Sequence, residues 1–281
     1  MSPMISGMRK GEEDCGVTCG DWGCLELTGA STQVQGRLAR RGLSQRRLRR
    51  LLKRVTQCLS SSSGRTSTSG HMYLTARITT SCPSENTRYT RLNLLGWAAL
   101  CPYARDLLWH GSTPIQPYQY PTGEEADEAH KTLLDRITGA IAEAVEDSGY
   151  RLVKQWREYK LSLTIIRGEE KLCARSKADL VILIGAPSAE SLRILYVEAA
   201  TRIHVAKPWQ VLLRGLALYY QYRLPVWLAI VSPEKIMYKE LTGEDQDKIM
   251  RALNRSSSSY QPSPDLCSLC ELAHQCPYKA I

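Results

Sequence analysis

The chain of 281 residues is 43% hydrophobic and 23% charged, an ordinary globular mixture that suffices for one large domain or two small ones. No apolar run approaches a membrane span; the longest, Ala178–Pro187 and Pro225–Val231, have the length of buried strands. A net charge of +9 suggests nucleic acid as a partner, but residues 1–71 hold 12 basic and 5 acidic residues while residues 72–281 hold 25 and 23, so the body of the chain is close to neutral.

In chain order, residues 1–36 contain Gly and Cys without clear periodicity. Nine Lys/Arg and no acid lie between Arg37 and Arg54, and residues 37–58 read as a short basic helix with a ragged apolar stripe of Leu38, Leu48, Leu51, Leu52 and Val55. Ser60–Gly70 is a low-complexity linker. This pattern predicts a disordered basic and Ser-rich extension over 1–71, and a folded domain over 72–281 that begins near Met72. Leu94–Trp109 reads as helical on either side of Cys101-Pro102, and Pro114–Pro121 as an irregular Pro/Tyr stretch. Ala126–Asp147 carries Leu133, Leu134, Ile137, Ile141, Ala144 and Val145 at helical spacing. Tyr159–Ile166 and Lys171–Ile184 read as strands joined by a turn at Arg167-Gly-Glu-Glu, and Arg193–Ala200 as another strand. A helix follows over Trp209–Tyr222 with Pro208 at its start, then a strand over Pro225–Val231 and a helix over Asp245–Leu253. The order predicts a mixed α/β sheet packed by helices. The N-terminus lacks the apolar core of a secretion signal, which predicts a cytoplasmic protein. Ten cysteines in that setting predict metal ligation or buried thiols rather than a disulfide framework.

The tail reads Cys267-Ser-Leu-Cys270-Glu-Leu-Ala-His-Gln-Cys276-Pro277. A two-residue gap lets both thiolates of one turn face a single centre, and five further residues can return a third sulfur to it. Three soft thiolates need a fourth ligand, for a tetrahedral zinc or for an iron–sulfur cubane. Cys101, also followed by Pro, is the better candidate; His274 and Cys82-Pro83 compete.

This pairing of an early Cys-Pro with a terminal C-x2-C-x5-C-P resembles the RecB-like iron–sulfur nucleases, above all the CRISPR-associated exonuclease family called Cas-four. Cys101-Pro-Tyr-Ala-Arg-Asp-Leu-Leu-Trp-His-Gly111 is similar to that family's opening motif, and the resemblance covers roughly residues 90–281. It implies a PD-(D/E)xK, restriction-endonuclease-like mixed sheet flanked by helices. It also implies a 4Fe–4S cluster, or less often 2Fe–2S, on Cys101, Cys267, Cys270 and Cys276 that joins the two ends of the fold.

Such nucleases hold Mg²⁺ or Mn²⁺ between two carboxylates on adjacent strands. The metal lowers the pKa of its bound water and neutralises the phosphate under attack. Asp179 opens the apolar run Leu180–Ile184, and Glu198 interrupts the run Ile194–Ala200; a turn at Gly185-Ala-Pro187 would bring both acids to one end of a hairpin. The resemblance adds the carbonyl of Ala199 and the imidazole of His130 as metal ligands, although a histidine on an apolar helix face is more often a core residue. Gln210 matches the glutamine of the family's Gln-x-x-x-Tyr helix, where Arg214 stands in place of the tyrosine. The family's Glu-x-Lys lysine, which orients the attacking water, is here Ala200. Lys207, at the start of the next helix, is the candidate replacement, with Arg202 as the second choice.

The implied function is a metal-dependent exonuclease acting on single-stranded DNA ends, trimming DNA before spacer integration alongside CRISPR integrase proteins, with no membrane partner and with self-association left open. A catalytically weak or inactive DNA-binding or scaffolding subunit is the alternative that Ala200 motivates. A zinc-ribbon interaction protein without any nuclease site is the third reading.

Overall fold

The central strands are apolar at consecutive positions, so successive side chains bury against both faces of the sheet, and the helices divide between those faces. The computed structural model describes residues 18–19, 21–26, 45–62, 76–82, 87–110, 124–185, 191–258 and 260–280. The strands are β1 (Thr18–Cys19), β2 (Trp22–Glu26), β3 (Ala76–Thr79), β4 (Thr87–Arg91), β5 (Arg151–Arg167), β6 (Glu170–Gly185), β7 (Leu192–Ala199), β8 (Val226–Val231) and β9 (Lys235–Glu240). The helices are α1 (Gln45–Ser62), α2 (Leu92–Leu100), α3 (Pro102–His110), α4 (Glu124–Asp147), α5 (Lys207–Tyr222), α6 (Gly243–Asn254) and α7 (Pro264–Leu269). The strands form one mixed sheet in the order β1-β2-β9-β8-β7-β6-β5-β3, with β4 pairing in parallel with β6. The expected α/β class is therefore the observed one. Among the described residues, no helix is long and apolar enough to cross a membrane.

On β7, Ile194 and Tyr196 point to the face covered by α2, α3, α5 and α6, while Leu195, Val197 and Ala199 point to the face covered by α1 and α4. Glu198 shares parity with Tyr196 and so faces α5. The β6–β7 pairing runs antiparallel from Gly185↔Leu192 to Leu180↔Val197, which leaves Asp179 and Glu198 together just past its end. Gly168, at φ +59°, supplies the left-handed residue that the expected β5–β6 turn requires.

The start of the fold differs from the expectation. Two segments before Met72 belong to it. β2 pairs antiparallel with β9, and α1 lays Leu48, Leu52, Val55 and Leu59 against the α4 side of the core. Arg49 pins the helix through Glu143 at 2.6 Å and Asp147 at 2.7 Å. The boundary at 71/72 is thus too late: each fully buried Leu or Val contributes on the order of 1.5–3 kcal/mol, more than an extension would leave uncovered. Residues 63–70 of the expected linker, the stretch 114–121 and the Ala186-Pro187 turn lie outside the described residues.

The cysteines also depart from the expectation of metal ligands and thiols alone. Ser162 and Thr164 on β5 donate to the carbonyls of Thr80 and Ser81, which holds the chain after β3 over β6, and Cys82 there is disulfide-bonded to Cys173. Cys24 and Cys58 are disulfide-bonded as well.

Helices α2 and α5 meet at Gly96. A Cβ there would stand 2.5 Å from Gln210 Cγ and 3.2 Å from the Ala206 carbonyl oxygen. Gln210 cannot yield without losing its bond to the Asn93 carbonyl, at 3.1 Å. Gly96→Ala is therefore expected to lower stability by about 1–3 kcal/mol in urea unfolding, the usual cost of overpacking.

Candidate functional site

The α2–α3 junction and the C-terminal tail meet at a small cavity lined by Cys101, Ala104, Leu107, Pro262, Leu266, Cys267, Cys270, Leu272, Ala273 and Cys276. Pro102 starts α3 directly after Cys101, and Ser263 caps α7 by accepting from the Leu266 amide at 3.3 Å. Tyr103 stacks on Tyr278 with ring centroids 4.3 Å apart and donates to the Tyr260 carbonyl at 3.1 Å. Arg255 donates to the Leu100 carbonyl at 2.6 Å. These contacts bring the tail to the α2–α3 junction, so the four thiols converge from segments far apart in sequence. Burial pushes the Cys270 thiol up to about 12, with the neighbouring Cys101, Cys267 and Cys276 adding to the shift, and burial raises Cys276 as well. Of the competing ligands, Cys82 is bonded to Cys173, and His274 is exposed and outside the cavity lining.

At the open end of the β6–β7 hairpin, the Ala199 amide donates to Asp179 Oδ2 at 2.8 Å. His130 reaches the same carboxylate from α4, with Nε2 3.7 Å from Oδ1; that contact raises the histidine pKa. Glu198 is buried to 3% exposure and engaged on both oxygens. Its Oε1 meets Arg214 at 2.5 Å and Lys207 at 3.0 Å, and its Oε2 accepts from the Tyr196 hydroxyl. Burial alone would raise the Glu198 pKa. The Arg214 charge, then Lys207 and the Tyr196 bond, outweigh it and hold the group at about 2. Arg214 is fixed in turn by Ser176 Oγ at 3.0 Å and Asn93 Oδ1 at 2.6 Å.

Asp179, Glu198, Ala199, His130 and Lys207 therefore stand together. Gln210 does not touch the carboxylates and reaches them only through Asn93, which links it to Arg214. Arg202 is exposed, and Ala200 is buried. Sequence reasoning missed Tyr196, Asn93, Ser176 and the role of Arg214. A guanidinium amid the apolar α5 run from Val211 to Leu218 was the available signal, because such a charge needs a buried partner. It also missed Glu158, at φ 48°, which interrupts the β5–β6 pairing between Arg157↔Leu180 and Tyr159↔Ala178, beside Asp179. Glu158 is exposed, and its contact with Lys177 at 2.8 Å lowers its pKa.

Behind Lys207, His204 stacks on Trp97 with centroids 5.5 Å apart, and its Nδ1 is buried without a hydrogen-bond partner. Burial, then the Lys207 and Arg202 charges, hold His204 down at about 4. Between pH 6.5 and 4 the unfolded chain binds this proton and the folded chain does not, so stability is expected to fall as pH drops through that window. Urea midpoints should show wild type losing stability relative to His204→Gln as pH falls from 6.5 to 4, with a constant difference above 6.5; parallel curves throughout would remove His204 as the cause.

The donor types suit the groups that the sequence implies: four thiols for iron–sulfur or zinc, and carboxylate with imidazole for a hard divalent cation. Among the described residues, no three His, Cys, Asp or Glu side chains are grouped closely enough to hold a metal ion as they stand. No family model matches the chain, and no curated protein matches it. The chain is similar to a solved structure titled "Crystal structure of SSO0001", at 11% identity and a TM-score of 0.38, over 83% of this chain and 97% of that one.

Proposed function

We propose that the chain is a metal-dependent exonuclease for single-stranded DNA, of the PD-(D/E)xK type, whose convergent thiols carry an iron–sulfur cluster. The observation that carries the reading is Lys207 Nζ at 3.0 Å from Glu198 Oε1, beside Asp179. An ammonium returns to the carboxylate pair from the first turn of α5, where the strand residue Ala200 has none. Asp179 and His130, with Glu198 and the Ala199 carbonyl, are the residues that would hold Mg²⁺ or Mn²⁺. The ion supplies an acidified water and charge neutralisation at the phosphate. Lys207 orients the attacking water and meets the negative charge that builds on the phosphate in the transition state. Tyr196 and Arg214 keep Glu198 ionised and fixed in direction. Cys101, Cys267, Cys270 and Cys276 are the cluster ligands, and 4Fe–4S, like the role in CRISPR adaptation with integrase partners, rests on the resemblance of the cysteine motif.

The test is digestion of a single-stranded oligonucleotide by anaerobically purified protein with Mg²⁺ or Mn²⁺. Asp179→Ala is expected to abolish cleavage, and Lys207→Ala to slow it by roughly two to three orders of magnitude, the worth of one transition-state charge contact. A silent Lys207→Ala in an active enzyme would overturn the lysine assignment.

A second reading, a DNA-binding subunit without cleavage, is favoured by one observation. Arg214 and Lys207 both pair with Glu198 and match in number the charges of Glu198 and Asp179, so the four groups together carry no net charge without a cation. Wild type that binds DNA yet cuts neither single nor double strands under either metal would establish that reading.

A further inference from the structure

Beside the first turn of α5 lies a broad trough. Its floor and walls include Leu100 from the end of α2, Trp209 from α5, and Lys248, Arg251, Asn254 and Arg255 from α6 and its exit. Three cations and no acid line it. Arg251 is exposed and has no ion-pair partner among the described residues. Lys248 holds its ammonium over the Trp209 ring, 5.7 Å from its centre, where a stacking base would displace it toward a phosphate, and reaches Asp21 at the surface, a pairing too exposed to cancel its charge for a ligand. Trp209 is half-buried: it packs against the core and also borders the trough.

We infer that this trough binds a single-stranded DNA segment, with a base stacked on Trp209 and phosphates on Lys248 and Arg251. The inference rests on reading the chain as one that acts on DNA, and it names where the strand lies. A ring flanked by cations is the combination that single strands use, because every base has a face to stack and every nucleotide a phosphate to neutralise. A duplex keeps its base faces inside its own stack. An acidic peptide would satisfy the cations but leave the indole unused. The position is also right for feeding the carboxylates. Lys207 and Trp209 are two residues apart on one helix, so their side chains project about 200° apart around its axis. One reaches Glu198, and the other borders the trough. A strand lying on Trp209 is thus held within one turn of α5 from Lys207.

The test is fluorescence anisotropy of a labelled oligothymidylate of about a dozen nucleotides, titrated with full-length protein in EDTA so that no cleavage occurs. Trp209→Ala is expected to weaken binding about ten- to a hundredfold, the range of one base stack. Because Trp209 also packs on the core, Trp209→Leu serves as the folded control: it should lose the same affinity, and Trp209→Tyr should recover most of it. Lys248→Gln with Arg251→Gln should lower the slope of log affinity against log salt by about 1.4, two single-strand phosphate contacts. A sugar-phosphate oligomer without bases should bind wild type and Trp209→Leu alike. DNA binding that ignores Trp209, or a duplex that binds as tightly with the same dependence on it, would overturn the inference. The two readings separate cleanly. Trp209-dependent binding without cleavage in Mg²⁺ or Mn²⁺ keeps the trough and sinks the nuclease; cleavage with Trp209-independent binding does the reverse. Absence of any DNA binding sinks both.

Discussion

Glu198→Ala is expected to cost roughly 3–5 kcal/mol of folding stability, because it leaves the Arg214 guanidinium buried without its counter-charge. Arg214 and Glu198 are 5% and 3% exposed, so solvent cannot take over either role. Removing both charges together, in Glu198→Leu with Arg214→Leu, should recover most of that loss, and a double-mutant cycle built on the two single leucine variants and read by urea unfolding isolates the pair. Equal losses for the single and double variants would show that Lys207 and Tyr196 carry the carboxylate without Arg214. The same pair sets an acid limit. Glu198 titrates near 2 in the fold against an ordinary 4.5. Its contribution, on the order of 3 kcal/mol, is therefore complete above pH 4.5 and lost as pH falls through 2. Cation affinity gives a further readout. Arg214→Leu restores one net negative charge to the site, so Mg²⁺ should bind it more tightly than wild type if Glu198 is a ligand.

Much of the central fold was legible because its elements carry single, clean periodicities. The stripe from Leu133 to Val145 marked α4, and the apolar runs of β6, β7 and β8 marked three adjacent strands. The antiparallel turn at Gly168 and the helix start at Pro208 came from backbone chemistry that those residues favour. What failed was the N-terminal boundary. In α1 the buried positions Leu48, Leu52, Val55 and Leu59 do follow helical spacing. The helix and the stripe of Leu48, Leu52 and Val55 were visible, but the surrounding charges and the Ser run gave no sign that the stripe is buried, since nothing local says that α4 has a second apolar side to cover. Strands β2 and β9 are a similar case: each is short, and their pairing joins residues more than 200 apart, which no local pattern encodes.

The site was legible by halves. Asp179 and Glu198 stood out as acids abutting apolar runs, and antiparallel geometry then placed them at one hairpin end. The network that holds Glu198 was not legible, because it is assembled by tertiary packing. Arg214 lies on α5, Asn93 on α2 and Ser176 on β6, and their convergence depends on how closely α2 approaches α5 at Gly96. Arg214 reads from sequence as the loss of a tyrosine. In the fold it is the main counter-charge of the buried glutamate. The family pattern assigned a function to Gln210, whereas its amide in this chain ties α5 to α2. The disulfide partner of Cys82 was equally hidden, since Cys173 is 91 residues away on β6 and meets it only in the folded sheet.

The cysteine cavity yields the other large effect. Anaerobically purified protein is expected to be brown, from iron on thiolates, and to lose both colour and iron on Cys101→Ala or Cys270→Ala. Cys82→Ala should leave the colour intact, because that sulfur is bonded to Cys173 on β6. The reasoning is physical as well as motif-based. Four thiols line one small cavity whose remaining lining is apolar, and burial pushes Cys270 to about 12, so without metal it stays protonated. A bound metal reverses that balance, and its binding free energy becomes folding free energy for the segments it joins. Here those segments are the α2–α3 junction and the tail from Pro264 to Cys276. Chelation of the iron, or Cys270→Ala, should therefore free the tail first: Tyr278 leaves Tyr103, and amides of α7 exchange faster with solvent while those of β6 and β7 stay protected. A colourless protein with stoichiometric zinc would reassign the metal and keep the mechanical role. A protein that binds neither metal would sink the assignment.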